Sequence, residues 1–200
     1  MRPCYRVFKS ALLHVKVRYH SMRSSCRVII GACTTAQSGW IATDVDLVNL
    51  LDDKTWGRYF DEQSIEALLA EHVFEHLTVV EGQLAARNCL TYLKPSGYIR
   101  VAVPDGYFPD LEYREAVKPL GSGLGSDDHK VLYTYKTLSD LFRGSGFKVK
   151  LLEYWDENGQ FHYTPWNSEE GFVRRSRWHD DRNNETEIRY TSLILDAVKP

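Results

Sequence analysis

The sequence predicts a single α/β domain whose doubly wound, mostly parallel sheet carries an antiparallel C-terminal edge strand. Three observations support this prediction. Short apolar runs rich in β-branched residues alternate with helical patterns as far as residue 146. Two further strand patterns follow, and antiparallel additions to a mostly parallel sheet are common. The 200 residues suffice for one domain with a sizeable core, and no internal repeat divides them.

The first two predicted strands are short. Residues 27–30 form a β-branched run that stops at Gly31, and residues 40–44 follow Gly39 as a second strand. Residues 64–77 are ambiguous, because their Glu, Ala and Leu content favours a helix. A buried parallel strand followed by a helix fits the same segment.

The later elements are clearer. The sequence predicts, in order, a helix (79–93), a strand (98–104), a helix (137–142) and two strands (147–155 and 190–198). A Lys94–Gly97 turn separates the first helix from its strand. Asn158-Gly159 is a strong hairpin turn signal after the strand 147–155.

The segment 1–26 is basic and contains no acidic residue. It could be an organelle transit peptide, a basic surface helix that contacts phosphate or anionic lipid, or an amphipathic helix packed on the domain. We favour the packed helix, because nothing resembling a cleavage site separates it from Val28. The side chains expected to face inward are Leu12, Leu13, Val15 and Tyr19.

Composition excludes several classes of protein. Hydrophobic residues make up 43% of the chain, charged residues 26%, and the net charge is −2. We therefore expect no nucleic-acid partner. No apolar run approaches the roughly 18 residues of a membrane span, so we expect no membrane partner. The cysteines form no CxxC pair, which favours reduced thiols and a cytoplasmic protein; they are Cys4, Cys26, Cys33 and Cys89.

A glycine and an aspartate after the first two strands predict a ligand site. In an open α/β sheet, ligands bind beyond the carboxyl ends of the strands. Gly31 would let backbone amides approach a ligand closely, and Asp44 could accept both hydroxyls of a ribose. Taken alone, the same two residues also fit an ordinary turn and a surface carboxylate.

The order of the motifs along the chain is more specific. The motifs are Gly31-Ala32-Cys33, GWIATD (39–44), EHVFEHL (71–77), LKPSGYIRVAVPDG (93–106), GFVRRSR (171–177) and YTSLILDAVKP (190–200). This order resembles the class I S-adenosylmethionine (SAM)-dependent methyltransferases, and most closely the small bacterial type 11-like members. The resemblance covers roughly residues 27–200.

The resemblance implies a Rossmann-like methyltransferase fold, SAM as cofactor and methyl transfer as activity. The cofactor-binding residues that it implies are Gly31, Ala32, Cys33, Asp44, Glu71 and His72. The glycine loop would lie under the methionine part of SAM, and Asp44 would bind the ribose hydroxyls. Glu71 and His72 would face the amino-acid end or the sulfonium, where a carboxylate favours a cation.

Two positions depart from the family pattern, since Cys33 and Ser96 stand where the family has glycine. A positive φ at Cys33 would be strained, which would weaken cofactor binding more than the fold. A second hypothesis is therefore a binding or scaffold protein that keeps the methyltransferase fold and has weakened cofactor binding.

A third hypothesis is a zinc hydrolase. His72-Val-Phe-Glu75-His76 matches the H-x-x-E-H zinc-protease pattern, which requires these residues on one helix and a further ligand downstream. The methyltransferase resemblance places His72 at a strand end and His76 in the next helix, so the two would not share a face. We therefore expect no metal site.

Asp105 and His129 are the candidate catalytic residues. Asp105 follows the strand 98–104 at the same edge of the sheet, so it could reach a substrate. His129 is the better candidate for a general base, because its ordinary pKa suits proton removal near neutrality. The alternative is a loop histidine without a role. Glycines 121, 123 and 125 favour a mobile lid, since no strand precedes them as in a phosphate loop.

Two clusters have alternative interpretations. Arg174, Arg175 and Arg177 could bind an anionic substrate, although pairing with nearby acids on a solvated face is favoured. The aromatic residues of 154–166 either line a substrate pocket or pack a hairpin.

The acceptor expected for a methyltransferase of this size is a small molecule or a saccharide. Insertions near 106–130 and 156–188 would define it, and homodimer formation is left open.

Overall fold

The structure, a computed structural model, describes residues 3–22, 26–123 and 125–200. Within the first of these ranges it describes the side chains of residues 9–18 only. The helices are α1 (Pro3–Met22), α2 (Asp53–Trp56), α3 (Val79–Tyr92), α4 (Leu111–Val117) and α5 (Tyr135–Gly144). The strands are β1 (Arg27–Ile29), β2 (Ile41–Ala42), β3 (Ile65–Glu71), β4 (Leu93–Pro104), β5 (Lys148–Trp155), β6 (Phe161–Tyr163) and β7 (Ser192–Val198). Two 3-10 turns lie at Phe74–His76 and Ser168–Glu170.

The strands form one seven-stranded sheet in the order β2-β1-β3-β4-β7-β5-β6. The β2-β1, β1-β3 and β3-β4 pairs are parallel, whereas β7 is antiparallel to both β4 and β5. The predicted α/β class and mixed sheet are confirmed. The C-terminal strand β7 is inserted between β4 and β5, so the antiparallel strand at that edge is β6.

The ambiguous segment 64–77 is a strand followed by a tight turn. β3 is almost completely buried from Ile65 to Ala70 between β1 and β4. A central strand buried on both faces is continuously apolar, and this burial outweighs the helical propensity of its Glu, Ala and Leu residues. The chain then turns through the 3-10 segment 74–76 and enters α3 at the capping box of Thr78 and Glu81.

The helices supply one core cluster, on the first face of the sheet. Leu13 of α1, Trp56 of α2, Ala86 of α3 and Phe142 of α5 are all buried there with side chains from the strands. Such an arrangement of helices on a largely parallel sheet is what βα alternation produces.

The second core cluster contains no helical residue among those described, and Val173 and Trp166 pack against the strands instead. Buried Arg100 fastens this covering segment. Its guanidinium binds Asp196 through two hydrogen bonds of 2.8 and 2.9 Å and donates to the carbonyls of Asn167 and Gly171. A strand arginine therefore joins the sheet to the segment that covers it.

The predicted N-terminal helix is present, but its inward face differs from the expectation. Leu13 and Val17 are buried, whereas Leu12 and Val15 are 44% and 66% exposed. Residues four apart share a helix face, so the buried pair follows helical spacing. The side chains of Cys4 and Tyr19 lie outside the described residues. In the described part of the chain, no helix combines the length and apolar character of a membrane span.

Candidate active site

The loop after β1 and the residue after β2 meet at the carboxyl edge of the sheet. β1 and β2 pair in parallel through Val28–Ile41 and Ile29–Ala42, which brings their ends together. The backbone N–H of Cys33 donates to Asp44 Oδ1 at 2.9 Å. The predicted neighbours Gly31 and Asp44 therefore belong to one rim.

The backbone of this rim is left-handed at two residues. Gly31 has φ +61°, and a Cβ there would lie 2.8 Å from Val73 Cγ2, so only glycine fits without displacing that side chain. Cys33 has φ +48°, and its side chain is exposed. A β-carbon in this conformation is strained, as anticipated for a cysteine in a glycine position. The exposed thiol leaves the hydrogen bond between the loop and Asp44 in place.

Glu71 ends β3 beside this rim, and His72 is the next residue. Glu71 accepts hydrogen bonds from the backbone N–H groups of Arg174 (3.3 Å) and Arg175 (2.8 Å). His72 has φ +55°, and its Nε2 lies 3.0 Å from Ser192 Oγ. Glu71 thus binds the backbone of residues 174–175, which directly follow Val173 of the second core cluster. No local pattern in the sequence indicated this contact. Strain at His72 fits the tendency of backbone outliers to cluster at functional sites.

A cavity of about 800 Å³ opens at the carboxyl ends of β3 and β4. His72 and Pro104 line it, and the next residue after His72, Val73, lies beside Gly31. The charged and histidine residues that line it are His72, Asp110, Glu112, His129, Arg174, Arg175, His179, Asp180, Asp181, Arg182 and Arg189. The volume is within the range of small-molecule sites, and the mixed charge suits a polar ligand.

The two candidate catalytic residues differ in their access to this cavity. His129 lines it, and its Nδ1 lies 2.7 Å from the Val117 carbonyl oxygen. Since a carbonyl only accepts, Nδ1 carries the proton and Nε2 keeps a lone pair. Asp105, in contrast, is completely buried, and both of its oxygens accept backbone hydrogen bonds, from Tyr107 and Trp155. The structure therefore does not bring Asp105 to a substrate, because its carboxylate is used to join two chain segments.

The H-x-x-E-H residues do not share one helix. His72 directly follows β3, whereas Glu75 and His76 belong to the 3-10 turn, so the single helix that the zinc-protease pattern requires is not formed. His76 Nδ1 lies 2.7 Å from Asp128 Oδ1, and its ring contacts that of His129 with centroids 4.8 Å apart. The histidine that joins His76 is thus 53 residues further along the chain, and local spacing could not reveal it.

Arg177 departs from the predicted solvated face. It is buried, its guanidinium donates to the carbonyls of Asn184 and Glu185, and its N–H donates to Glu153. Buried Glu153 also accepts from Thr191 and Trp166, and burial raises the pKa of its carboxyl. Aromatic residues of 154–166 pack the β5-β6 hairpin, for example Tyr154 on His162 and Trp155 on Phe161, and none of them lines the cavity.

Several solved structures of similar fold are SAM-dependent methyltransferases. One from Archaeoglobus fulgidus is 15% identical with a TM-score of 0.50, and the match covers 97% of this chain and 94% of that one. One from Thermotoga maritima is 13% identical with a TM-score of 0.52, covering 97% and 96%. One from Mesorhizobium loti is 13% identical with a TM-score of 0.52, covering 87% and 90%.

This chain has the SAM-dependent methyltransferase fold. The predicted Rossmann-like methyltransferase architecture is thereby confirmed. No protein-family model and no curated protein sequence matches the chain. At identities of 13–15% the likeness concerns the fold, and the activity has to be inferred from the residues of the rim and the cavity.

Proposed function

We propose that the chain binds SAM at the rim formed by the loop 31–33 and Asp44, and transfers the methyl group to an acceptor in the adjacent cavity. The hydrogen bond from Cys33 N–H to Asp44 Oδ1 carries this proposal. It places a glycine loop and a carboxylate together at the strand ends where ligands of open α/β sheets bind.

The donor set of the rim fits an adenosyl group. In the described part of the chain, Asp44 Oδ2 has no hydrogen-bond partner, so it can accept from ribose hydroxyls while Oδ1 keeps the loop in place. Gly31 allows close backbone approach. Glu71 would contribute less than expected, because both of its oxygens already accept from the segment 174–175.

Bound SAM would supply a methyl group that is already activated by its sulfonium. The chain then has to align the acceptor and exclude water. The cavity at His72 and Pro104 is next to the rim, and its wall offers arginines and carboxylates to a polar acceptor. A small molecule or a saccharide fits this chemistry and volume, and the insertions near 106–130 and 156–188 would set the choice between them.

Isothermal titration with SAM and with S-adenosylhomocysteine tests the proposal. We expect binding to the wild-type chain and a loss of about 10–100-fold in affinity for Asp44→Asn, because a charged acceptor contributes about 1.5–3 kcal/mol per hydrogen bond. Asp140→Asn, on the exposed face of α5, is the matched control and should bind as the wild type does. Equal affinities for the two variants would contradict the proposed site. Transfer from labelled SAM to a panel of polar acceptors then identifies the substrate.

Two observations favour a second candidate, a binding protein of the same fold with weakened affinity for SAM. Cys33 has a strained backbone, and both carboxylate oxygens of Glu71 already accept hydrogen bonds from the chain. The two candidates differ in one comparison. If Cys33→Gly binds SAM and the wild type does not, the loop is impaired in this chain. If neither binds, the ligand of this rim is not an adenosyl group.

A further inference from the structure

Glu75 is buried without a partner that would explain its burial. The residue is 1% exposed, and neither carboxylate oxygen has a hydrogen-bond partner among the described residues. His72 Nδ1 lies 3.0 Å from Glu75 Oε1 but outside the angles of a hydrogen bond. A carboxylate buried without a hydrogen bond costs several kcal/mol, and a bound cation would remove much of that cost.

Two histidines converge on this carboxylate from different parts of the chain. The ligand atoms of Glu75, His76 and His129 lie within 4.8 Å of one another. Glu75 and His76 belong to the 3-10 turn after β3, and His129 belongs to the loop after α4. The backbone carbonyl of Glu75 accepts from the N–H groups of Lys130 and Val131, which holds the two segments together.

The partners of both histidines leave a nitrogen lone pair for a ligand. His76 Nδ1 is bonded to the Asp128 carboxylate, and His129 Nδ1 to the Val117 carbonyl. Both acceptors require a proton on Nδ1, so Nε2 of each ring is unprotonated in the neutral form. A carboxylate or carbonyl behind a ligating imidazole is the usual support of a metal-bound histidine.

We propose that Glu75, His76 and His129 bind a divalent transition-metal ion, Zn²⁺ or Fe²⁺, at the border of the cavity. Two imidazoles and one carboxylate with open positions are the ligand set of many such sites. Ligand atoms of a tetrahedral zinc site lie roughly 3.4 Å apart, whereas these lie within 4.8 Å of one another, so the side chains must draw together by as much as about 1.4 Å. The His76 side chain is 33% exposed and has room for this movement.

The ion changes the role assigned to His129. A nitrogen that ligates a metal cannot also remove a proton, so His129 becomes a ligand rather than a general base. Because His129 also lines the cavity, the ion would stand at the cavity wall and tie the loop 126–131 to the end of β3. This proposal is independent of SAM binding and of methyl transfer.

Metal analysis of the 200-residue chain and titration of the chelator-treated protein with Zn²⁺, or anaerobically with Fe²⁺, test the site. We expect about one ion per chain, as two imidazoles and a carboxylate form one site. Asp128→Asn should lower the affinity by about 10–100-fold through His76, and Glu75→Gln and His129→Ala by more. His162→Ala removes a histidine of β6 that is paired with Asp156 at 2.8 Å and is not one of the three proposed ligands, and this variant should bind as the wild type does.

Two further measurements separate the metal site from a structural ion pair. A chelator should lower the Tm of the metal-loaded wild type and leave that of His129→Ala unchanged. His72→Gln should retain metal binding if Glu75 is a ligand. A wild-type chain that takes up no ion, or a His129→Ala variant with wild-type affinity, would overturn the proposal. Circular dichroism of each variant establishes that the fold is intact.

Discussion

The rim and the cavity lie side by side at the same edge of the sheet, but they are built differently. The rim consists of the loop 31–33 and Asp44, which follow two short neighbouring strands, β1 and β2. The cavity wall uses residues from 72 to 190, and one of them, Arg175, is bound to Glu71, 104 positions away in the chain. Local motifs therefore identify the first region, whereas the second exists only after the long covering segment has folded onto the sheet.

The largest expected effect concerns the residue that fastens this covering segment. Arg100→Met leaves Asp196 without its bidentate partner and frees the carbonyls of Asn167 and Gly171. We expect the free energy of unfolding to fall by about 3–5 kcal/mol, because one member of a buried ion pair remains uncompensated. Denaturant unfolding followed by circular dichroism measures the change.

The control for Arg100 is the pair of Arg27 and Glu66, in which two guanidinium nitrogens donate to one carboxylate oxygen and both side chains are about one-third exposed. Arg27→Met should cost no more than about 1 kcal/mol, as exposed pairs contribute little. If both variants lose the same free energy of unfolding, the contacts of Arg100 with Asp196 and with the covering segment do not stabilise the fold as proposed. If the double variant Arg100→Met/Asp196→Leu regains the free energy of unfolding that Arg100→Met loses, the ion-pair explanation is supported.

A second effect, of intermediate size, depends on pH and concerns the buried Asp105. Burial raises the pKa of Asp105 from 3.8 to about 6, and the amide hydrogen bonds from Trp155 and Tyr107 only partly oppose this. Because the folded value exceeds the unfolded one, the stability linked to this proton is full below pH 3.8 and is lost as pH rises through about 6. The free energy of unfolding of Asp105→Asn, measured relative to that of the wild type, should therefore rise by about 2–3 kcal/mol between pH 4 and pH 7.

Unfolding free energies at several pH values measure this difference directly. Asp61→Asn, at an exposed position, serves as the control and should follow the wild-type pH dependence. A difference between Asp105→Asn and the wild type that stays constant over the whole range would contradict the assignment.

The smallest effect belongs to the rim. Cys33→Gly removes the β-carbon from a residue at φ +48° and should raise the free energy of unfolding by about 1 kcal/mol. Cys33→Ala keeps the β-carbon and should give no such gain. A Tm increase in both variants would trace the effect to the thiol instead of the backbone.

The strand and helix order was predictable because each element has a periodicity and an end signal of its own. Val28–Gly31, the helix 79–92 and the hairpin at Asn158-Gly159 are examples. The antiparallel character of the last strand was expected, but its insertion between β4 and β5 depends on pairings with both neighbours. No local pattern encodes such a choice, since register and neighbour are set by burial of the whole sheet.

The candidate site was predictable to the extent that its residues are near one another in sequence. The proximity of the loop 31–33 to Asp44 was predicted in this way, and the strain expected for a positive φ at Cys33 followed from the residue type. Asp105 was misplaced because a residue after a strand can turn inward, where two backbone N–H groups satisfy its carboxylate. Arg177 was misplaced for a similar reason, since its carbonyl partners at 184 and 185 are formed by a later loop.

The sequence by itself determined the alternation of strands and helices, the glycine turn after β1 and the acidic residue after β2. These depend on local conformational preference and on apolar periodicity, which act over a few residues. The tertiary structure alone decided that Arg100 holds the second face, that Glu71 binds the segment 174–175, and that Glu75 meets His76 and His129. Those contacts join distant positions, and they form only where burial of the sheet leaves polar groups that need a partner.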